Sequence, residues 1–418
     1  MIQETFFWPN MHPDLKTITP LIPSLITVFF AYIGFSITVP IITDISMHMN
    51  QDVRYQWLTI LMSAYPIGAI LGATLVGSVS DVIGRKSTLL ASLGVSGVLY
   101  LLTGLCIVYS EWLILGIIRI TQGLIDANMV IAQRTIADVL PQNRHSRFFS
   151  YLYSFPATAF IIGPLTLAYC LPEVMVNEWH YFWPFMIQAC LMGLSFLIIQ
   201  TTFTDTKQIK SNRTIQQDLW QFITALRHHS TYRSITISNC LLFFVYRGFL
   251  SFYPIYIADY FSANLTLNSH IISWIASGSL VTYLFINPTL SKRFSETKII
   301  ITCSCLLSFC LLITSYTTSL NYASWLLMLD SILVTIWIPS CLSLISKHNI
   351  NQDYGKAFGQ NQSIKIFSGL VVNLVFPLML MSHKQLPLIC LSLASICVAA
   401  MMSMIAAQEC LTSSGIRT

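Results

Sequence analysis

The sequence predicts an all-α membrane protein with twelve transmembrane helices arranged in two six-helix bundles. Hydrophobic residues make up 55% of its 418 residues and charged residues only 9%, against about 25% charged residues in a typical soluble domain. Twelve apolar runs are long enough to cross a bilayer, which takes about 20 residues. The basic residues lie almost entirely on one side of the membrane that these runs define, as is usual for multi-span proteins.

The apolar runs set the order of the helices along the chain. A soluble protein of this size needs a charged surface, and this composition does not supply one, so the bilayer must act as the solvent. The ninth run is the shortest. The predicted spans are residues 21–42, 57–79, 88–108, 112–136, 149–171, 181–202, 234–257, 271–290, 299–316, 323–345, 358–381 and 386–407.

The distribution of basic residues predicts that both termini are cytoplasmic. With the N-terminus inside, the predicted cytoplasmic segments hold 16 Lys and Arg residues, whereas the predicted external loops hold only Arg54 and Lys384. Lys and Arg are enriched in the cytoplasmic loops of membrane proteins. One missed span would scramble this division, so the division also supports the count of twelve.

A long polar stretch at 203–233 divides the chain into two bundles, at 1–202 and 234–418. Apolar residues recur at helical spacing inside this stretch and predict an amphipathic helix that lies along the membrane face.

The two halves also resemble each other. A Gly-Phe-x4-Pro element at 34–40 recurs at 248–254, 214 residues later, and the Trp-Leu pair at 112–113 recurs at 325–326, 213 residues later. Two matches at nearly one offset indicate a duplication. Parallel six-helix repeats predict a transporter whose binding site lies between the halves.

The predicted cytoplasmic loop between spans two and three carries a family signature. Its sequence, Gly-Ser-Val-Ser-Asp-Val-Ile-Gly-Arg-Lys, resembles the Gly-x3-Asp-x2-Gly-Arg-Lys/Arg motif of the major facilitator superfamily. A merely basic loop would explain the last two residues of the motif, but not the aspartate and the glycines. The fixed positions of the motif fall on Gly77, Asp81, Gly84, Arg85 and Lys86.

The resemblance implies a latch at this loop. In the family, the aspartate faces the N-terminus of span eleven, where the helix dipole favours a negative charge, and the arginine pairs with an acid at the end of span four. In this sequence those contacts would join Asp81 to the backbone near Phe358, and Arg85 to Asp138. Such a latch holds the outward-facing state together.

Two further motifs resemble one branch of the superfamily. Arg119, Gln122 and Gly123 in span four match its Arg-x-x-Gln-Gly motif, and Gly163-Pro164 in span five matches the core of the antiporter motif. The chain is similar to the twelve-span drug–proton antiporters, which include tetracycline and bicyclomycin-type exporters. Three glycine positions of the antiporter motif are changed, which weakens the prediction of antiport. Those positions hold Ala159, Leu167 and Ala168.

Charged side chains inside the predicted spans are the candidate functional residues. A charge at the bilayer centre costs about 2.5–3.5 kcal/mol on an insertion scale, so such residues are rarely kept without a role. Gln122 shares one face of span four with two of them. The two charges on that face are about 10 Å apart along the axis, too far for a direct pair. The five intramembrane charges are Arg119, Asp126, Arg247, Asp330 and Lys365.

The same charges suggest separate roles. Proton coupling needs a carboxyl group that titrates as the cavity changes sides, and we expect Asp126 to be that group, with Asp330 as second candidate. Arg247 and Asp330 lie at similar depths and are predicted to pair, either in the cavity lining or as a static tie between helices. Lys365 either extends to the interface or faces the cavity, and Asn373 on the same span is a further cavity candidate.

Three positive against two negative intramembrane charges favour an anionic or zwitterionic solute, such as a metabolite or a carboxylate-rich siderophore. Aromatic residues surround Arg247 along span seven, where they either stack on a planar substrate or pack against helices and lipid.

The predicted function is proton-coupled export of a small organic molecule, such as a drug, siderophore or metabolite, by alternating access. One rival is a proton-coupled importer of an amino acid, sugar or organic acid, and another is a transporter-like sensor that no longer cycles. The intact loop motif argues for cycling. An enzyme is not expected, because no nucleophile elbow or paired His/Asp cluster is present.

The expected partners are a small-molecule substrate and the lipid bilayer, with no nucleic acid, no metal and no cofactor besides the proton gradient. We expect a monomer in the inner membrane of a bacterium, with its cysteines serving as packing residues.

Overall fold

The structure is a computed structural model, and it describes residues 21–126, 128–139, 142–170, 178–203, 230–348 and 354–413. The amphipathic helix predicted in the linker lies outside these residues. The described residues form helices joined by short connections, and no strand occurs among them. The all-helical membrane architecture predicted from composition is confirmed.

The first half of the chain contains seven of the helices, which account for predicted spans one to six. A short 3₁₀ turn, Glu178–Tyr181, precedes the last of them. The helices are α1 (Leu21–Met47), α2 (Gln51–Ile83), α3 (Arg85–Val108), α4 (Trp112–Ile125), α5 (Asn128–Val139), α6 (Gln142–Cys170) and α7 (Phe182–Thr202).

The second half accounts for predicted spans seven to twelve in the same way. A π-helical turn, Thr282–Ile286, separates two of its helices. The helices are α8 (Ser230–Tyr260), α9 (Leu265–Val281), α10 (Asn287–Arg293), α11 (Glu296–Tyr316), α12 (Leu320–His348), α13 (Tyr354–Ser382) and α14 (Leu386–Ser413).

Over its described residues, each predicted span is helical apart from the break at Asp126. Among the described residues, ten helices are long and apolar enough to cross a membrane, and α4 is a shorter apolar helix. Several helices extend past their apolar runs, because a helix continues into the headgroup region after its hydrophobic part has ended. The protein is therefore an integral, multi-pass membrane protein. The count of twelve crossings and the cytoplasmic placement of both termini stay predictions.

Predicted span four is not one continuous helix. It divides into α4 and α5 at Asp126, whose backbone is extended, with φ −68° and ψ 100°. The break leaves the carbonyl of Ile125 without its usual helical partner. The Ser92 hydroxyl of α3 donates a 2.6 Å hydrogen bond to that carbonyl, which compensates part of the loss. The sequence predicts one continuous span over 112–136 and does not indicate this break.

Span eight is interrupted as well, by the π-helical turn between α9 and α10. Pro288 lies at the start of α10 and has no N–H to donate, so the ladder of hydrogen bonds is reorganised in the turn before it. Such π turns occur frequently at functional sites. A proline inside a span predicts such a distortion from the sequence.

The helices of the two halves pair in the same pattern. Helix α1 packs against α6 and α7, α2 against α4, and α3 against α7; correspondingly, α8 packs against α13 and α14, α9 against α12, and α11 against α14. Between the halves, α2 packs against α13, α6 against α9, and α1 against α8. This repeated packing is what a duplicated bundle produces, and it leaves α1 and α8 facing each other at the centre of the molecule.

Small residues allow α2 and α4 to approach closely, and the Gly-x3-Gly spacing at Gly68 and Gly72 predicts such a packing seam on span two from the sequence. A Cβ atom on Gly68 would overlap the carbonyl of Ile120, and one on Gly72 would overlap the carbonyl of Leu124. Gly123, from the Arg-x-x-Gln-Gly motif, faces the α2 backbone in the same way. The predicted packing seam on span two is confirmed. Because this seam fixes α4 against α2, it also fixes the polar side chains that both helices carry.

Candidate functional site

Two adjoining pockets lie between the halves of the molecule. The cavity volume is about 40 Å³ in the first pocket and about 60 Å³ in the second, so both are narrow spaces. Tyr32, Phe35 and Arg247 line both pockets, so the two spaces meet at α1 and α8. The first pocket extends into the C-terminal half and the second into the N-terminal half.

The second pocket lies beside a connected polar network on α2, α3 and α4. Arg119 donates a 3.0 Å hydrogen bond from Nη1 to Gln122 Oε1, and Gln122 Nε2 donates to Thr103 Oγ1 at 3.1 Å. The Arg119 guanidinium also lies over the ring of Tyr65, with 5.1 Å between its Cζ and the ring centroid. Both Arg119 and Gln122 are buried. The two motif residues therefore hold each other in place and present one face to the interior.

Asp126 completes this network at the break between α4 and α5. The hydroxyl of Tyr65 donates a short hydrogen bond to Asp126 Oδ2, while the backbone N–H and side-chain amide of Asn128 donate to Oδ1 at 3.3 and 3.1 Å. Arg119 and Asp126 make no ion pair, as their spacing along the helix predicts. Tyr65 joins them instead, since its ring contacts the arginine and its hydroxyl contacts the carboxylate.

Arg247 on α8 projects into the region where the pockets meet. Its Cζ lies 5.9 Å from the ring centroid of Phe35. Gly369 on α13 provides the space that the side chain occupies, because a Cβ atom there would lie 2.8 Å from Arg247 Nε. Nε is buried without a hydrogen-bond acceptor, and among the described residues no carboxylate forms an ion pair with this guanidinium.

Asp330 on α12 does not pair with Arg247, contrary to the prediction. The carboxylate is fully buried and accepts a 3.0 Å hydrogen bond from Thr314 Oγ1 of α11, while Oδ1 has no partner. Asp330 lines neither of the two pockets. Its carboxylate is directed towards α11 and not into either pocket.

Lys365 on α13 faces the first pocket, so its extension to the membrane interface is not observed. Only 7% of the residue is exposed. Its Nζ lies 5.0 Å from the ring centroid of Tyr153 and 6.0 Å from that of Tyr246, and it forms no hydrogen bond or ion pair with a described residue.

Asn373, the other polar candidate on α13, joins the two halves. Its side-chain amide donates a 2.7 Å hydrogen bond to the carbonyl of Met62 on α2, and it lines neither pocket.

An acid follows each Gly-Phe-x4-Pro element, Asp44 in the first half and Asp259 in the second, and the two acids differ in their contacts. Asp44 accepts a 2.5 Å hydrogen bond from the hydroxyl of Tyr181 in its own half. Asp259 forms an ion pair with Arg54 of the other half at 3.2 Å and another with Lys384 at 3.2 Å. The second acid therefore ties the halves together at the predicted external end.

The loop motif is described in part. Gly84, between α2 and α3, has φ 95°, a conformation that side chains other than hydrogen disfavour, which explains the glycine. Arg85 is buried, and Lys86 Nζ donates a 2.8 Å hydrogen bond to the carbonyl of Gln200. The structure does not describe what surrounds Gly77, Asp81, Asp138 or Phe358. The latch contacts stay a prediction.

The span-five motif serves close packing against α1. A Cβ atom on Gly163 would overlap the hydroxyl of Ser36, and this hydroxyl donates a 3.0 Å hydrogen bond to the carbonyl of Ala159. Pro164 follows inside α6. Among the described residues, no group of three or more His, Cys, Asp or Glu side chains is arranged to hold a metal ion.

Comparisons with known sequences give one family. Residues 24–373 match the profile of the Major Facilitator Superfamily. A class B tetracycline resistance protein of Escherichia coli is 26% identical over 196 residues, which are 47% of this chain and 42% of the relative. A class G tetracycline resistance protein of Vibrio anguillarum is 31% identical over 138 residues, 33% of each chain. The matched segments thus cover less than half the length of these relatives.

Solved structures extend the fold similarity to nearly the whole chain. The human organic anion transporter MFSD10 (TETRAN) superposes with a TM-score of 0.71 at 15% identity, covering 94% of this chain and 100% of that one. A D-xylose–proton symporter gives a TM-score of 0.71 at 14% identity, with 93% and 97% covered. At these identities the similarity shows the fold alone.

Proposed function

Because the chain belongs to the major facilitator superfamily, we propose that it exports a small organic molecule in exchange for protons, by alternating access. The observation that supports this proposal most directly is the pair of adjoining pockets between the halves. One pocket is lined by a carboxylate, Asp126, and the other is lined largely by aromatic and apolar residues. A proton site and a substrate site that meet at Arg247 are the parts that coupled transport requires.

Asp126 is the proposed proton site. It is the one carboxylate among the described residues that line either pocket, and its hydrogen-bond donors, Tyr65 and Asn128, are uncharged. A carboxylate accepts hydrogen bonds only, whereas the protonated acid also donates one. A proton on Oδ2 that points at Tyr65 would require the Tyr65 hydroxyl to turn from donor to acceptor. Because the ring of Tyr65 lies under Arg119, that rearrangement reaches the other charge on α4.

Alternation of access requires contacts that break on each side in turn. The ion pairs of Asp259 with Arg54 and Lys384 are the proposed closure at the external end, and the loop motif around Gly84 and Arg85 is the proposed latch at the cytoplasmic end. The interruptions in spans four and eight provide positions at which these helices bend while the halves rock.

The curated relatives support the direction of export, because their names describe tetracycline resistance and their sources are bacteria. We therefore propose a monomeric protein of a bacterial cytoplasmic membrane, driven by the proton gradient without a cofactor, with a drug, siderophore or metabolite as substrate.

The test is transport in proteoliposomes with an imposed pH gradient. The compounds to be labelled are those that raise the melting temperature of the purified protein in a screen of drugs and metabolites. Asp126→Asn should abolish uptake driven by the gradient, while exchange without a gradient continues, because the variant still binds substrate but carries no proton. Asp44→Asn is the matched control, since Asp44 lines neither pocket. Full gradient-driven transport by Asp126→Asn would rule out this site.

Import with protons is the second candidate function. It is favoured by the changed antiporter motif, in which Ala159 and Leu167 occupy glycine positions of α6 and are fully buried. Cells that lack an exporter accumulate more of a labelled substrate, whereas cells that lack an importer accumulate less, so this comparison decides the direction.

A further inference from the structure

We propose that the first pocket binds an organic anion with a flat unsaturated ring, whose anionic group is held by Arg247 and Lys365. This inference rests on the proposed function and specifies its substrate class. Its starting point is that these two cations share one pocket, although they come from α8 and α13.

Both cations lack a partner within the described part of the molecule. Only 7% of Lys365 is exposed, so the side chain is more than nine-tenths buried. Its ammonium group contacts only the rings of Tyr153 and Tyr246. The guanidinium of Arg247 contacts the ring of Phe35, and its buried Nε lacks an acceptor. Charged groups inside a membrane protein are normally paired or exposed to water. Two unpaired cations around one space therefore indicate that the missing negative charge comes from the ligand.

The protein does not supply that charge itself. No Asp or Glu is among the described residues that line the first pocket. Asp126 lies beyond Tyr32 and Phe35 in the second pocket, where Tyr65 and Asn128 already donate hydrogen bonds to it.

Asp330, the predicted partner of Arg247, does not supply the charge either. Its carboxylate is directed towards Thr314 on α11.

The position of Arg247 is built into the fold. The absence of a side chain at Gly369 leaves room for the guanidinium, and the ring of Phe35 from the opposite half lies against it. A planar guanidinium in a fixed orientation binds a carboxylate or a similar oxyanion through two parallel hydrogen bonds. The adjacent ammonium of Lys365 adds a donor that adapts its direction.

The aromatic lining of the first pocket favours a particular scaffold for the part of the ligand that carries no charge. Tyrosine rings line it from α6, α8 and the π-helical turn, and those of Tyr153 and Tyr283 are stacked with 6.0 Å between their centroids. Flat aromatic surfaces of this kind favour an offset-stacked ring. A cationic ligand would be repelled by both charges, and a neutral ligand would leave both charges uncompensated. The pocket therefore favours an aromatic or conjugated carboxylate, or another oxyanion on the same scaffold.

The experiment uses purified full-length protein and three matched probes: 2-naphthoate, 2-naphthamide and 2-naphthylmethylamine. Binding is measured by thermal shift and by displacement of radiolabelled naphthoate. Only the carboxylate should bind, and Arg247→Gln and Lys365→Gln should each weaken its binding by about tenfold or more, the usual effect of removing a charge-assisted hydrogen bond. Lys298→Gln, which removes an exposed cation, should bind like the wild-type protein.

Charge-conserving variants keep the test valid if a glutamine variant folds poorly. Arg247→Lys and Lys365→Arg should recover most of the lost affinity, which a merely structural role would not predict. Equal binding of the amide and the carboxylate, preference for the amine, or wild-type affinity in Arg247→Gln would each overturn the inference.

The outcomes also separate this inference from the proposed function. If a pH gradient drives transport of the amine but not of the carboxylate, proton-coupled transport stands and the anion site fails. If the carboxylate binds through Arg247 and Lys365 but no gradient drives its movement, the anion site stands and proton-coupled transport fails.

Discussion

The charged residues of the two halves are organised in opposite ways. In the N-terminal half, Arg119 and Asp126 are connected through Gln122 and Tyr65, so each charge has partners within its own half. In the C-terminal half, Arg247 and Lys365 face a shared pocket and lie against aromatic rings, without a hydrogen bond or ion pair to a described residue. The packing of the helices is repeated between the halves, but the use of charge is not.

The two halves thus share one helix arrangement but give their charged residues different tasks. A charge with protein partners is stabilised in every state in which those partners are present, so its function must come from gaining or losing a proton. A cation without a protein partner is stabilised only when an anion arrives. We therefore assign the proton to the N-terminal network and the substrate to the C-terminal cations.

The substitution expected to have the largest effect is Tyr65→Phe, which tests the N-terminal side of this comparison. The variant keeps a ring under Arg119 but removes the hydrogen bond to Asp126. Gradient-driven transport should fall by about tenfold or more, because a hydrogen bond to a charged group contributes about 1.5–3 kcal/mol. Naphthoate affinity should change by less than about twofold, because Tyr65 does not line the first pocket. An equal loss of binding and transport would show that the two sites are not separate.

Gly369→Ala tests the C-terminal side, with a smaller expected effect. The added methyl group lies against Arg247 Nε, so the guanidinium must move, and naphthoate binding should weaken by about three- to tenfold. Displacement assays measure this change. Gly193→Ala is the matched control, because a Cβ atom there meets nothing within 4 Å. If Gly369→Ala binds naphthoate as tightly as the control, the position of Arg247 is not fixed by this glycine.

The smallest effect is expected for Asp330→Asn. The introduced amide retains an oxygen that accepts the hydrogen bond from Thr314, and Asp330 lines neither pocket. Transport and naphthoate affinity should both stay within about twofold of the wild type, and thermal stability should be equal or higher, because the variant removes a buried carboxylate that has one hydrogen bond. A tenfold loss of gradient-driven transport would instead place Asp330 in the coupling machinery.

The sequence predicted the features that depend on the free-energy cost of placing a residue in the membrane. It also predicted those that depend on local backbone geometry. Every predicted span coincides with helix over its described residues, apart from the break at Asp126, since about twenty consecutive apolar residues permit few alternatives. The close approach of α2 and α4 followed from Gly68 and Gly72, and the five intramembrane charges stood out because each is costly. Lys365 and Arg247 were singled out on this ground, and the structure places both in the lining of the first pocket.

Features that depend on which way a side chain points could not be predicted. Helices buried in a bundle are apolar on all sides, so the sequence marks no single face, and Asp330 was expected to meet Arg247 although it faces Thr314. Tyr65 lies in an apolar run and no pattern distinguishes it from a packing residue. The break at Asp126 is accompanied by tertiary contacts such as the hydrogen bond from Ser92, which the local sequence does not reveal.

The most direct test compares naphthoate binding by Asp126→Asn and by Arg247→Gln in the same assay. We predict that Asp126→Asn binds naphthoate within about twofold of the wild-type affinity, whereas Arg247→Gln binds it about tenfold more weakly or worse. A tenfold loss in Asp126→Asn, together with unchanged binding in Arg247→Gln, would contradict the division of the molecule into a proton-binding half and an anion-binding half.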